Sequence, residues 1–206
     1  MRPGQVTTDA QAFRQILARL QDEPGAIIRL VEESKKTGGF PNTAPFWALV
    51  RMLFPIAEAI GDLIYRNDTG TVKNLTSVLK SEFEAERPGY AKMASTLAVL
   101  YRHSLTHQDE MRSLLTAITE VTWIISYGVS AHHLEVKKTP EGITLQFDTC
   151  GFYEDIVKVC KAAIAKSWNG AVMARYNSWL TLDLDANQNK YKESIKEIHE
   201  LTLFAN

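Results

Sequence analysis

Cysteine is scarce in this chain: two residues in 206, Cys150 and Cys160. They cannot build a disulfide framework, and C-x-x-C pairs are absent, so both read as free thiols of a reducing compartment. An excess of charge of either sign is also missing, since 23 Lys and Arg face 24 Asp and Glu. That excludes a globally basic nucleic-acid coat and makes any nucleic-acid site a local one. The opening MRPGQVTTDAQAF lacks the apolar core of a signal peptide. The longest apolar run, APFWALVRMLFPIAEAIGDLIY, is interrupted by Arg51, Glu58 and Asp62. It predicts a buried amphipathic helix and not a membrane span, and a cytoplasmic location follows as the expectation. Glycine-rich phosphate loops and kinase-type motifs are absent, which argues against a P-loop nucleotide hydrolase. No internal repeat or low-complexity segment is visible.

What is present is helical periodicity. At 45% hydrophobic residues the chain can bury one sizeable core. Thr8 or Asp9 can cap a first helix carrying Phe13, Ile16, Leu17 and Leu20 on one stripe. DEPG is expected to interrupt it before a second helix through Ile27, Ile28, Leu30 and Val31, ending at TGGFP. A wide-arc apolar helix is expected from about Ala44 to Tyr65, kinked at Pro55. TVKNLTSVLKSEF follows as a helix, EAERPG as a break, and YAKMASTLAVLYRHSLTH as the next helix. The period then changes: VTWIISY, HHLEVKK and ITLQFDT are rich in β-formers, with TPEG as a hairpin turn. Helices return from Phe152 to about Trp168 and again up to about Leu203, with SWLTLDLDANQ ambiguous between strand and helix. The expected fold is mainly α: one domain over 1–206, a helical bundle with a small antiparallel hairpin or three-stranded insert.

The chemistry concentrates in YRHSLTH. On a helical wheel Leu97, Tyr101 and Leu105 centre the core face, and Arg102, Thr106, His103 and His107 cover the opposite arc. Arg102 and His107 sit on its two edges, roughly 140° apart. A solvated polar face accounts for such a pattern with no further assumption. The functional reading rests on three potential anion donors on one arc of a core-like, rigidly mounted helix. Arginine grips phosphate with a bidentate fork, and histidine is the side chain best suited to proton transfer near neutral pH.

This stretch resembles the signature of the HEPN (higher eukaryotes and prokaryotes nucleotide-binding) superfamily, an arginine, a polar residue, two to four further residues and a histidine. Arg102 matches the arginine, His103 the polar residue and His107 the final histidine. The order of elements around it agrees over roughly residues 40 to 170; the first 40 residues and the last helix lie outside the resemblance. The resemblance implies a four- or five-helix bundle that forms a homodimer, with the two motifs facing one another in a composite cleft. Many members are metal-independent endoribonucleases of toxin–antitoxin or anti-phage systems, so RNA and an antitoxin protein are implied partners. Others only bind nucleotides or proteins, which leaves a non-catalytic interaction module as the alternative. No cofactor is implied.

Other constellations compete less well. His103 and His107 have the i, i+4 spacing of metal ligands, but Ser104 stands where a zinc protease needs glutamate. His132 and His133 lead a strand and point to opposite faces, so they do not join one site. His199 reads as a surface residue, and Cys150 and Cys160 as small buried hydrophobes. Glu82, Glu84 or Glu86 is a candidate accessory carboxylate, with a charged helix end as the simpler reading. Tyr153, Trp168, Tyr176 and Trp179 have the chemistry to stack bases, but aromatic residues in a helical core are the default.

Overall fold

The computed structural model describes residues 4–36, 44–65, 71–101, 113–128, 132–140, 142–180 and 188–204. Helices α1 (Asp9–Lys36), α2 (Ala44–Tyr65) and α3 (Thr71–Val78) come first. A π turn (Leu79–Phe83) joins α3 to the short α4 (Glu84–Glu86), and α5 (Tyr90–Tyr101) follows. Four strands come next: β1 (Leu114–Leu115), β2 (Glu120–Ser126), β3 (Val136–Lys138) and β4 (Gly142–Asp148). Helices α6 (Thr149–Ala165), α7 (Ala171–Trp179) and α8 (Gln188–Phe204) complete the described chain. The protein is mainly helical with a small sheet set between its helices, as the periodicity predicts.

The first helix departs from expectation. DEPG does not interrupt it: α1 runs unbroken through Pro24. Proline forfeits one backbone hydrogen bond and crowds the preceding turn, at a cost of about 3 kcal/mol. The apolar stripe explains why the helix continues. Ala12, Phe13, Ile16, Leu20 and Val31 are all buried, and Pro24 is buried in register between them. Burial against α2, α6 and α7 along both halves outweighs the local penalty. Thr8 caps α1, its Oγ1 accepting from Gln11 N–H at 3.2 Å. Asp9 caps a different helix, accepting from the N–H groups of Gly170 and Met173 at the start of α7, at 2.8 and 2.7 Å.

The break expected at EAERPG comes late. The helix continues through the π turn to Glu86, and Arg87 leaves it with φ −147°. In the π turn Glu84 N–H donates to the carbonyl of Leu79, five residues back. The widened turn lets Leu79 and Phe83 both reach the core, where Phe83 packs edge-on against Tyr90 at 5.2 Å.

The insert is more elaborate than a hairpin. Its strand order is β1-β2-β4-β3. β3 and β4 form the expected antiparallel hairpin, with Thr139 and Gly142 bonded across the turn. β2 and β4 pair in parallel, from Glu120 with Gly142 to Ser126 with Asp148. His132 and His133 precede β3 and are not part of a strand; Leu134, at φ +66°, turns the chain into it. The alternation of β-formers shows that strands exist, but pairing direction depends on the path of the connection.

The core gathers around Phe54 of α2. Its ring stacks on Tyr101 of α5, with centroids 4.7 Å apart and planes at 9°. Phe152 of α6 lies at 4.8 Å, Phe147 of β4 at 5.3 Å and Trp123 of β2 at 6.3 Å. Sheet and helices therefore share one hydrophobic core. α2 and α3 approach closely at Gly61, where a Cβ would lie 2.5 Å from the carbonyl oxygen of Asn74. Among the described residues, no helix is long and apolar enough to cross a membrane.

Candidate functional site

Arg102, His103 and His107 fall within 102–112, outside the described residues. What the structure does describe is the helix that leads in sequence into them. α5 buries Tyr90, Met93, Ala94, Leu97, Ala98, Leu100 and Tyr101, which includes Leu97 and Tyr101 of the expected core face; Leu105 lies outside the described residues. The stack of Tyr101 on Phe54 fixes its last residue. Its first turn is fixed by polar groups. Glu84 Oε2 accepts from the N–H groups of Gly89 and Ala91 at 2.9 and 2.7 Å, satisfying donors that a helix start leaves free.

Beside this first turn lies a polar network that sequence reasoning missed. Asp155, fully buried on α6, receives Arg87 Nε at 2.5 Å and Tyr90 Oη at 3.0 Å on the same oxygen, Oδ2. Tyr90 Oη also lies 2.8 Å from His133 Nε2. His133 Nδ1 accepts the backbone N–H of Asp148 at 3.0 Å. Asp148 in turn caps α6, accepting from Gly151 N–H at 2.8 Å and from Ser126 Oγ at 3.1 Å. The loop before α5, α5 itself, the turn before β3 and the start of α6 are thus tied together. Gly151 makes room for the imidazole: a Cβ there would stand 3.1 Å from the ring.

These bonds assign the histidine tautomer. Nδ1 accepts, so the proton sits on Nε2, which donates to Tyr90 Oη; Tyr90 then donates to Asp155. Burial and the nearby Arg87 guanidinium push the His133 pKa down to about 3, so the ring is neutral. Its 3.7 Å approach to Asp155 is therefore a polar contact and not an ion pair. Burial and the Asp155 carboxylate raise the Tyr90 phenol well above its ordinary value, which keeps it a donor. Arg87 is raised too, chiefly by its hydrogen bond to Asp155. Asp155 Oδ1 has no hydrogen-bond partner, and Lys158 Nζ stands 3.6 Å away. A neutral, fully enclosed imidazole is a positioning device here, since no substrate atom can reach it.

The remaining candidates are engaged elsewhere. His132 Nδ1 lies 2.7 Å from Glu135 and is exposed. His199 is exposed on α8. Glu82 receives Lys166 Nζ at 2.5 Å and Tyr65 Oη at 3.2 Å. Trp168 Nε1 donates to the carbonyl of Ala163, Trp179 Nε1 donates to Asp62, and Tyr176 is buried. Cys160 is buried and its thiol pushed up to about 12 by desolvation; Cys150 is half-buried, and neither forms a disulfide. Among the described residues, no three His, Cys, Asp or Glu side chains are placed to hold a metal ion.

One signal for the network was available in the sequence. Asp155 shares the core face of α6 with Phe152, Ile156 and Val159. A carboxylate on an apolar stripe requires buried partners. Those partners, Arg87, Tyr90 and His133, lie 22 to 68 positions away, and only the fold brings them together. Comparison of the chain with protein families, with curated proteins and with solved structures finds no match.

Proposed function

We propose that the protein is a HEPN-like, metal-independent endoribonuclease that works as a homodimer, with Arg102 and His107 as its catalytic pair and His103 in support. The observation that carries this reading is the mounting of α5. It is clamped at its start by Glu84 and at its end by the Tyr101–Phe54 stack, and the next residue in the chain is Arg102. Catalytic groups need such a support, because small misplacements cost large factors in rate. The mainly helical fold with a sheet following α5 supports the same reading.

The chemistry needs only these side chains. The 2′-hydroxyl oxygen of RNA attacks the adjacent phosphorus, and the bond from phosphorus to the 5′-oxygen breaks. A cyclic phosphate and a free 5′-hydroxyl result. His107 moves the proton, and Arg102 stabilises charge on the phosphorane-like oxygens. Defence against phage or a toxin–antitoxin pairing is the setting proposed for it.

The test is incubation of purified protein with mixed RNA in EDTA. The parent should cleave. His107→Ala should lose about a hundredfold or more in rate while keeping its melting temperature, and Arg102→Ala should also bind RNA less well. His103→Ala should have a smaller effect. A parent without cleavage overturns the reading.

One observation favours the alternative, a non-catalytic interaction module. Leu115 on edge strand β1 and Ile118 beyond it are 81% and 92% exposed. Apolar side chains at a sheet edge suit a protein partner.

A further inference from the structure

A groove lies between α3 and α5. Lys73, Thr76, Ser77 and Lys80 line one wall and Ser95 and Val99 the other, around about 380 Å³. Positions 73, 76, 77 and 80 follow the i, i+3, i+4, i+7 pattern, so one stripe carries both ammonium groups and two hydroxyls. Asn74, Leu75, Val78 and Leu79 form the opposite, buried stripe that holds the wall in place. Among the described residues, no carboxylate lines the groove. Lys73 and Lys80 are exposed, and neither forms an ion pair among the described residues. Lys80 lies within the π turn, a helical irregularity frequently found at functional sites.

We infer that this groove holds the phosphodiester backbone of single-stranded RNA, alongside the helix that leads in sequence into Arg102. Two cations about 10 Å apart along the helix axis, with hydroxyl donors between them, match a chain of anionic phosphates each offering several acceptor oxygens. The described walls carry no carboxylate that would repel such a chain. Among the described lining residues no aromatic ring is present to stack bases, so the contact is to the backbone and is indifferent to sequence. In a protein of net charge −1, this patch offers a polyanion local attraction. The choice of RNA rests on the ribonuclease reading; the anionic groove itself does not.

The experiment measures binding apart from cleavage. Fluorescence anisotropy follows a labelled, unstructured single-stranded RNA in EDTA over a salt series, with each protein carrying His107→Ala. Lys73→Glu/Lys80→Glu should weaken binding by about tenfold or more and flatten the log–log salt slope by about 1.4, the loss of two phosphate contacts. Lys73→Gln/Lys80→Gln should lie between and decides the matter if charge reversal prevents folding. Lys161→Glu/Lys192→Glu, exposed on α6 and α8, should bind as the parent does. Groove variants that bind RNA like the parent overturn the inference, as does a parent that binds no RNA or prefers a polyglutamate peptide. If groove variants lose binding while protein with His107 intact cleaves nothing, the groove stands and the ribonuclease reading falls. If that protein cleaves and the groove variants cleave equally well at limiting RNA, the reverse holds.

Discussion

Tyr90 Oη stands 2.8 Å from His133 Nε2, and through this one bond the helix leading to Arg102 is joined to the turn that starts β3. The phenol both receives the imidazole proton and donates its own to Asp155. Tyr90→Phe keeps the ring and its packing on Phe83 but strands a buried N–H. It should cost about 1–3 kcal/mol in urea unfolding. A change below about 0.5 kcal/mol would show that the bond contributes nothing.

The same imidazole sets a pH dependence. An unfolded histidine titrates near 6.5, whereas His133 in the fold is depressed to about 3 by burial and Arg87. Below pH 6.5 the unfolded chain binds a proton that the folded chain refuses. Stability is therefore full above about pH 7 and falls as pH drops from 6.5 toward 3. The parent should lose about 2 kcal/mol more than His133→Gln between pH 7 and 5. Equal losses would mean that another group governs the acid limb.

Gly61 tests the packing of α2 on α3. An added Cβ would meet backbone, the carbonyl of Asn74 at 2.5 Å, which cannot swing aside like a side chain. Gly61→Ala should destabilise by about 1–3 kcal/mol despite its better helix propensity. An unchanged or raised denaturation midpoint would contradict the close approach.

The two thiols should differ in reactivity. Cys160 is fully enclosed and its thiol is pushed up to about 12, so it carries almost no thiolate at neutral pH. Iodoacetamide at pH 8 should modify Cys150 first and reach Cys160 only after denaturant is added. Mass spectrometry of the labelled peptides reads the order, and early labelling of Cys160 would reveal an opening of α6.

The proposed dimer has a direct check. Light scattering at tens of micromolar protein should give twice the chain mass, since an interface of standard size is occupied there. A monomer would leave the two motifs without their composite cleft.

Local periodicity made the helices legible. Ala44–Tyr65 matches its expected bounds because its apolar arc is wide and the flanking sequences TGGFPNT and RNDTG are rich in Gly, Pro, Asn and Asp. Pro24 misled, because a residue-level penalty was set above a stripe that runs in register from Ala12 to Val31. The direction of β2 against β4 was illegible, because nothing in either strand records the path between them. The anchor of α5 was hidden in another way: Arg87, Tyr90, His133 and Asp155 are unremarkable alone and gain meaning only as neighbours.

The strand order has a consequence for synthesis. β4 lies between β2 and β3, which have no bonds to one another. A ribosome that has extruded β3 but not β4 therefore exposes two unpaired edges on one nascent chain. Both are covered only when Gly142–Asp148 emerges and slides between them. Until then, among the described strands, β2 has only β1 as a partner and β3 has none. This is the interval in which a chaperone or a second nascent chain would find these edges open.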